Sequence, residues 1–203
     1  MAKRREPDLI SLAFQLMAER GWCRFSFTEL ARRAGVPLAR VYAELPGRGA
    51  LLRGLGRRLD AQMFELEQAE LDGMTPRERV FELVMRRLDA MAPYKEGLRA
   101  VAQAVPRDPA LLLAAGCNVG LLSRRLLDAT ETANGPAVAA VARRVIGMIY
   151  VRTFRVWLDD ATPDMARTLA ELDRRLQQAE EVARWVRGLG RSRPSDAPTA
   201  TAA

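Results

Sequence analysis

An all-α fold is what this chain of 203 residues predicts, and three observations lead there. Apolar residues recur at three and four positions in stretch after stretch, the period of a helix with one buried face. β-branched runs are short and aromatics are only 6% of the chain, so little favours strands. Eleven prolines and fourteen glycines cluster between the periodic stretches, where they end helices instead of breaking them. With 49% hydrophobic residues there is enough apolar surface to build a core.

Each element follows from its own signals. Leu9, Leu12, Ala13, Leu16 and Met17 predict a helix from about Pro7 to Arg20, ended by Gly21. Ser26 with Glu29 three residues on is a capping box for a helix over Phe27 to Ala34, stopped by Gly35. Pro37 opens a third short helix through Leu45. A fourth starts after Pro46-Gly47 and is expected to run to about Leu71. Thr75-Pro76-Arg77-Glu78 caps a helix to Met91, and further helices are expected at about 94–105, 110–129 and 137–158. Thr162-Pro163-Asp164 caps the last. There Met165, Leu169, Leu172, Leu176, Ala179, Ala183 and Val186 form a seam of coiled-coil spacing, expected to pair two subunits together with helix 137–158. The chain is expected to divide into a helix-turn-helix unit at 1–55, a helical ligand and dimer unit at 56–187, and a disordered tail at 188–203.

Charge is uneven along this plan. Residues 1–60 hold twelve Lys/Arg against six Asp/Glu, whereas 61–203 hold twenty against nineteen. A basic first unit on a near-neutral remainder points to a polyanion-binding module. The absence of histidine removes imidazole general bases, Ser-His and Cys-His pairs and His-ligated metals, so no enzyme and no cofactor is expected. Asp159-Asp160 is an adjacent acid pair, but successive helix positions diverge by about 100° and do not close on one bond. Cys23 and Cys117 are expected to be reduced and mostly buried in a cytoplasmic protein. AVAAVARRVIGMIYV is split by Arg143 and Arg144, so no membrane span and no stable membrane insertion is expected.

A helix, a glycine turn and a second helix about ten residues on is a helix-turn-helix arrangement, whose second helix enters the DNA major groove. A small core of Leu12, Leu16, Phe27, Leu30, Ala31, Val36, Val41 and Leu45 would fix it, leaving Leu38, Ala39, Arg40 and Ala43 outward. These residues carry a resemblance. AFQLMAERGW, FTELARRAGV and PLARVYAELPGRGALL resemble the DNA-binding region of TetR-type transcriptional regulators over residues 9–55. The resemblance implies a homodimer on double-stranded operator DNA, with Ser26, Thr28, Arg32, Arg33, Leu38, Ala39, Arg40, Tyr42, Ala43 and Arg48 in the DNA face. Tyr42, Arg48 and Ser26 match phosphate-contacting positions. Pro37 departs from the usual Ser/Thr cap, and Glu44 places a negative charge beside the backbone-contacting side.

A second resemblance covers roughly 75–187. YVRTFRVWLDDATPDMARTLAELDRRLQQA is similar to the C-terminal region of the ninth coenzyme Q biosynthesis protein, with Trp157, Asp160, Thr162, Pro163, Asp164, Thr168 and Arg175 at matching positions. It implies a TetR-like fold used to bind isoprenoid lipid as an accessory protein of ubiquinone biosynthesis, the alternative to regulation. On either reading a small apolar effector or lipid is expected among Met85, Leu88, Met91, Tyr94, Leu98, Leu121, Met148, Ile149 and Trp157.

Overall fold

The computed structural model describes residues 7–65, 68–131 and 135–191. Its elements are α1 (Leu9–Arg20), α2 (Phe27–Ala34), α3 (Leu38–Glu44), α4 (Arg48–Met63), a short α5 (Gln68–Leu71), α6 (Pro76–Met91), α7 (Lys95–Ala104), α8 (Pro109–Asp128), α9 (Pro136–Asp159) and α10 (Ala166–Arg191). No strand occurs among the described residues. Single 3-10 turns, Ala92–Tyr94 and Val105–Arg107, flank α7 at its two prolines.

The caps are local. Asp8 accepts the Ser11 N–H at 3.2 Å and starts α1. Ser26 accepts from Glu29 at 3.2 Å and starts α2. Thr75 and Glu78 form a reciprocal capping box at α6. Asp108 starts α8 by accepting from Leu111 at 3.0 Å. The expected fourth helix is shorter than its apolar pattern: α4 ends at Met63, and α5 resumes at Gln68. The boundary expected between residues 55 and 56 falls inside α4, which is shared by the first three helices and the body. At the far end α10 continues past 188 to Arg191, and residues 192–203 of the expected tail lie outside the described residues.

The head, α1 to α3, is held by Phe14, Leu16, Met17, Leu30, Val41 and Leu45, all buried. It sits directly on the body. Phe14 and Tyr94 meet edge to face with centroids 5.7 Å apart, and Trp22 Nε1 donates to Asp108 at 3.1 Å. Arg58 on α4 donates to both oxygens of Asp8 at 2.6 and 2.9 Å and to the Tyr94 hydroxyl at 3.0 Å. In the body α10 lies against α9 and α6, and α9 lies against α8.

This packing corrects two expectations. The seam of α10 is filled within its own chain: Leu172 and Leu176 are buried, Leu169 and Ala179 are half-buried against the core, and Ala183 is exposed. The side chain of Val186 lies outside the described residues. Both cysteines are free and exposed, since Cys23 sits in the turn after α1 and Cys117 on the outer face of α8. That helix is also long and apolar enough, by length and composition, to cross a membrane, against the expectation that no such segment occurs.

The α9–α10 corner turns on Asp160. Its Oδ1 accepts from Thr162 N at 3.1 Å and Oγ1 at 2.6 Å, and its Oδ2 accepts from Thr168 N at 2.9 Å and Oγ1 at 2.8 Å. The bonds from Thr162, then those from Thr168, hold its carboxyl well below the ordinary carboxylate range, against the opposing effect of burial. A carboxyl depressed in this way stabilises the fold fully above its unfolded pKa, and that contribution fades as pH falls through the folded one. Asp160→Asn is therefore expected to be less stable than the parent at neutral pH and to lose less on acidification below about pH 4. Thermal melts at stepped pH read the difference directly.

Candidate functional site

Two features of this fold can do chemistry with a partner: the outer face of the head and a cavity in the body.

On the head, Gly35 takes a left-handed conformation (φ 66°, ψ 32°) and its neighbour Val36 returns an N–H to Ala31 at 3.1 Å, closing α2 before α3 begins. Val41, fully buried, and Leu45 pin α3 from beneath. Ala39, Tyr42 and Ala43 consequently face solvent, Tyr42 at 48% exposure with its ring 5.4 Å from Phe27. Leu38 departs from its expected outward position, because it is half-buried against the core. Arg40 is half-buried and approaches Glu44 at 3.5 Å. Thr28 is exposed at the start of α2.

Most of the head's expected cations already have carboxylate partners. Arg33 forks onto Glu19 at 2.6 and 2.7 Å, while Arg32 and Arg20 share Glu29. Arg48 departs furthest from a phosphate contact. Its Nη2 donates to the Phe25 carbonyl at 2.6 Å and its guanidinium lies 5.0 Å from the Trp22 ring centroid, so it braces the loop before α2. Arg24 and Arg53 are exposed and have no ion-pair partner among the described residues. Sequence reasoning passed over both, although neither has an acidic residue three or four positions away, the spacing that would have neutralised it on a helix.

The cavity, of about 380 Å³, lies between α4, α6, α7, α8 and α9. Leu52, Leu55, Leu59, Met91, Leu98, Val101, Leu122 and Phe154 make it apolar. Of the expected ligand residues, Met91 and Leu98 line it. Met85, Leu88, Tyr94, Ile149 and Trp157 are buried in packing elsewhere, and Leu121 and Met148 point outward at 52% and 61% exposure. The wall missed by the sequence reading comes mostly from α4, whose positions 52, 55, 56 and 59 form one helical face, and from α8, where 112, 115, 116, 119 and 122 do the same.

Asn118 and Arg155 also border the cavity, but its buried polar groups, Arg87 and Tyr150, lie together. Arg87 is buried, donates through Nε to the Tyr150 hydroxyl at 3.3 Å, and pairs through Nη1 with Asp60, which also pairs with Arg125. The Tyr150 hydroxyl in turn donates to Met91 Sδ at 3.7 Å, a weak acceptor. The arrangement is a greasy chamber with a buried cationic corner, and among the described residues no cluster able to hold a metal occurs.

Comparison with known proteins places this geometry in a fold. A TetR transcriptional regulator from Nitrosomonas europaea superposes with a TM-score of 0.71 at 21% identity, covering 85% of this chain and 95% of that one. A TetR-family regulator from Streptomyces coelicolor matches at a TM-score of 0.60 and 21% identity over 94% of this chain and 90% of its own. A TetR regulator from Rhodococcus sp. RHA1 matches at 0.59 and 16% over 84% and 92%. The chain thus has the all-α fold of TetR-type regulators. The COQ9 family model matches residues 141–183, most of α9 and most of α10. No curated protein matches.

Proposed function

We propose that this chain is a ligand-responsive DNA-binding regulator of transcription, a repressor that works as a homodimer in the cytoplasm and carries out no catalysis. Residues 1–55 bind operator DNA, and 56–187 bind the effector and pair the subunits. The observation that carries the reading is the face of α3: a helix locked from below by Val41 and Leu45 that offers Ala39, Tyr42 and Ala43 to solvent. Small side chains there let the helix approach base edges closely, and Arg24, Arg53 and the Ser26 hydroxyl stand ready for phosphate. A gel-shift titration on the DNA upstream of the gene tests it. Binding is expected to weaken steeply with salt, and Ala39→Glu, which sets a charge against the groove, is expected to abolish it without lowering the melting temperature. Salt-independent retention, or none on any fragment, defeats the reading.

Pairing is assigned to α9 and α10 through faces the core does not use. Val138, Val141 and Met148 on α9 and Val182 on α10 are exposed, and so are Arg144 and Arg152 on α9 and Glu180 and Glu181 on α10. A two-fold axis that sets α9 of one subunit on α10 of its partner matches basic side chains to acidic ones twice over. Met148→Glu is expected to shift the chain from dimer to monomer in sedimentation velocity, with the helical content unchanged.

The second reading, an isoprenoid-lipid-binding accessory protein of ubiquinone biosynthesis, is favoured by the family match over 141–183 and by α9 forming one wall of the cavity. Native mass spectrometry separates the two: a co-purifying isoprenoid together with failure to shift any DNA selects the second.

A further inference from the structure

We infer that the cavity takes an amphipathic anion, an apolar chain ending in a carboxylate or comparable oxyanion, with the head bound between Arg87 and Tyr150. The inference rests on the reading of the cavity as the effector site and goes beyond it by fixing the chemistry of the effector.

The argument is a charge balance in a dry place. The lining contains two cations, Arg87 and Arg155, and no acidic residue. Asp60 lies behind the wall and is shared between Arg87 and Arg125, so the three-residue cluster keeps a net charge of one positive unit. Arg87 spends Nε on Tyr150 and Nη1 on Asp60, and its Nη2 has no protein acceptor. Arg87 is buried as a residue yet lines the cavity, so its charge faces a narrow, mostly apolar space, and an oxyanion there gives that charge a partner. Tyr150 supplies the second donor. Its proton rests on a thioether sulfur, which any oxyanion displaces as the better acceptor. Leu55, Val101, Leu122 and Phe154 then accommodate the chain as it runs toward the mouth. Arg155 lines the cavity yet is exposed and carries no ion pair, which places it where the cavity meets solvent, drawing anions in and opposing cations. A neutral alcohol would accept from the same donors but bring no charge to balance Arg87, and an ammonium head would meet only like charge.

Isothermal titration of the full chain with dodecanoate, dodecanol and dodecyltrimethylammonium tests this. Dodecanoate is expected to bind at least about tenfold more tightly than dodecanol, the worth of one hydrogen bond to a charged group, with the ammonium weakest. Tyr150→Phe is expected to remove most of the advantage of dodecanoate while leaving dodecanol unchanged, and Arg155→Gln is expected to preserve the ranking. Equal binding of acid and alcohol, or preference for the ammonium, overturns the inference while leaving an apolar effector site in place. Loss of the ranking in Arg155→Gln but not in Tyr150→Phe moves the head to the mouth and overturns the assignment to Arg87. If none of the three binds, the effector-site reading itself falls.

Discussion

Replacing Asp60 with alanine is expected to cost about 3–5 kcal/mol, the largest loss of any substitution considered, because it leaves a buried guanidinium without its counter-charge. Arg87 is 5% exposed and packed among α4, α6 and α9. Its other protein contact is the Tyr150 hydroxyl, a neutral group that cannot balance a charge. Arg125, by contrast, is 39% exposed at its side chain, so water serves it when Asp60 is gone. The loss therefore falls on Arg87 alone. At about 2–4 °C per kcal/mol for a chain of this size, the melting temperature should drop by about 10 °C. The double variant Asp60→Leu/Arg87→Met removes both charges, and its stability is expected to return close to the parent's. If the single variant melts with the parent, Arg87 is not desolvated as described. Dodecanoate adds a check: it should raise the melting temperature of Asp60→Ala more than that of the parent, since it supplies the missing negative charge.

The caps and turns were legible because each rests on a handful of adjacent residues. Thr75 to Glu78 forms the full reciprocal box within four positions, whereas at Ser26 only the hydroxyl cap forms, because the Glu29 carboxylate is taken by Arg20 and Arg32. The α10 seam was equally plain as a pattern. A seam says only that a partner exists, and α6 with α9 of the same chain proved to be that partner. Arg87 carried a subtler signal. Val80, Val84, Arg87 and Met91 are spaced four, three and four apart, so a charge sits on an apolar stripe, the mark of a buried ion pair or a ligand contact. Its counterpart Asp60 lies 27 positions away on another helix, a juxtaposition that periodicity cannot show. Arg48 misled for the opposite reason. Its match to a phosphate-contacting position came from resemblance alone, and Trp22 and Phe25 offer the guanidinium a ring and a carbonyl nearer at hand.

Gly97→Ala is expected to destabilise the chain by about 1–3 kcal/mol and to weaken operator binding at the same time. A Cβ at this position would collide with the Phe14 carbonyl oxygen and lie 3.0 Å from two further Phe14 atoms. The obstruction is backbone, so no side chain can swing aside, and α1 and α7 must separate. That separation matters because α7 has two tasks. Gly97 gives it backbone contact with α1 in the head, while Leu98, Val101 and Ala102 on adjoining faces line the cavity. A ligand that displaces α7 from the cavity side moves the same helix on which α1 rests, and α1 forms one wall of the head's core. Effector binding and the extra methyl group should therefore push one joint from two directions. Operator affinity of Gly97→Ala should fall toward that of the liganded parent, and the further loss caused by an effector should shrink. A variant that melts lower but releases DNA as the parent does would show that α1 and α7 are merely packed, and that coupling runs through α4 and the Arg58–Asp8 pair instead.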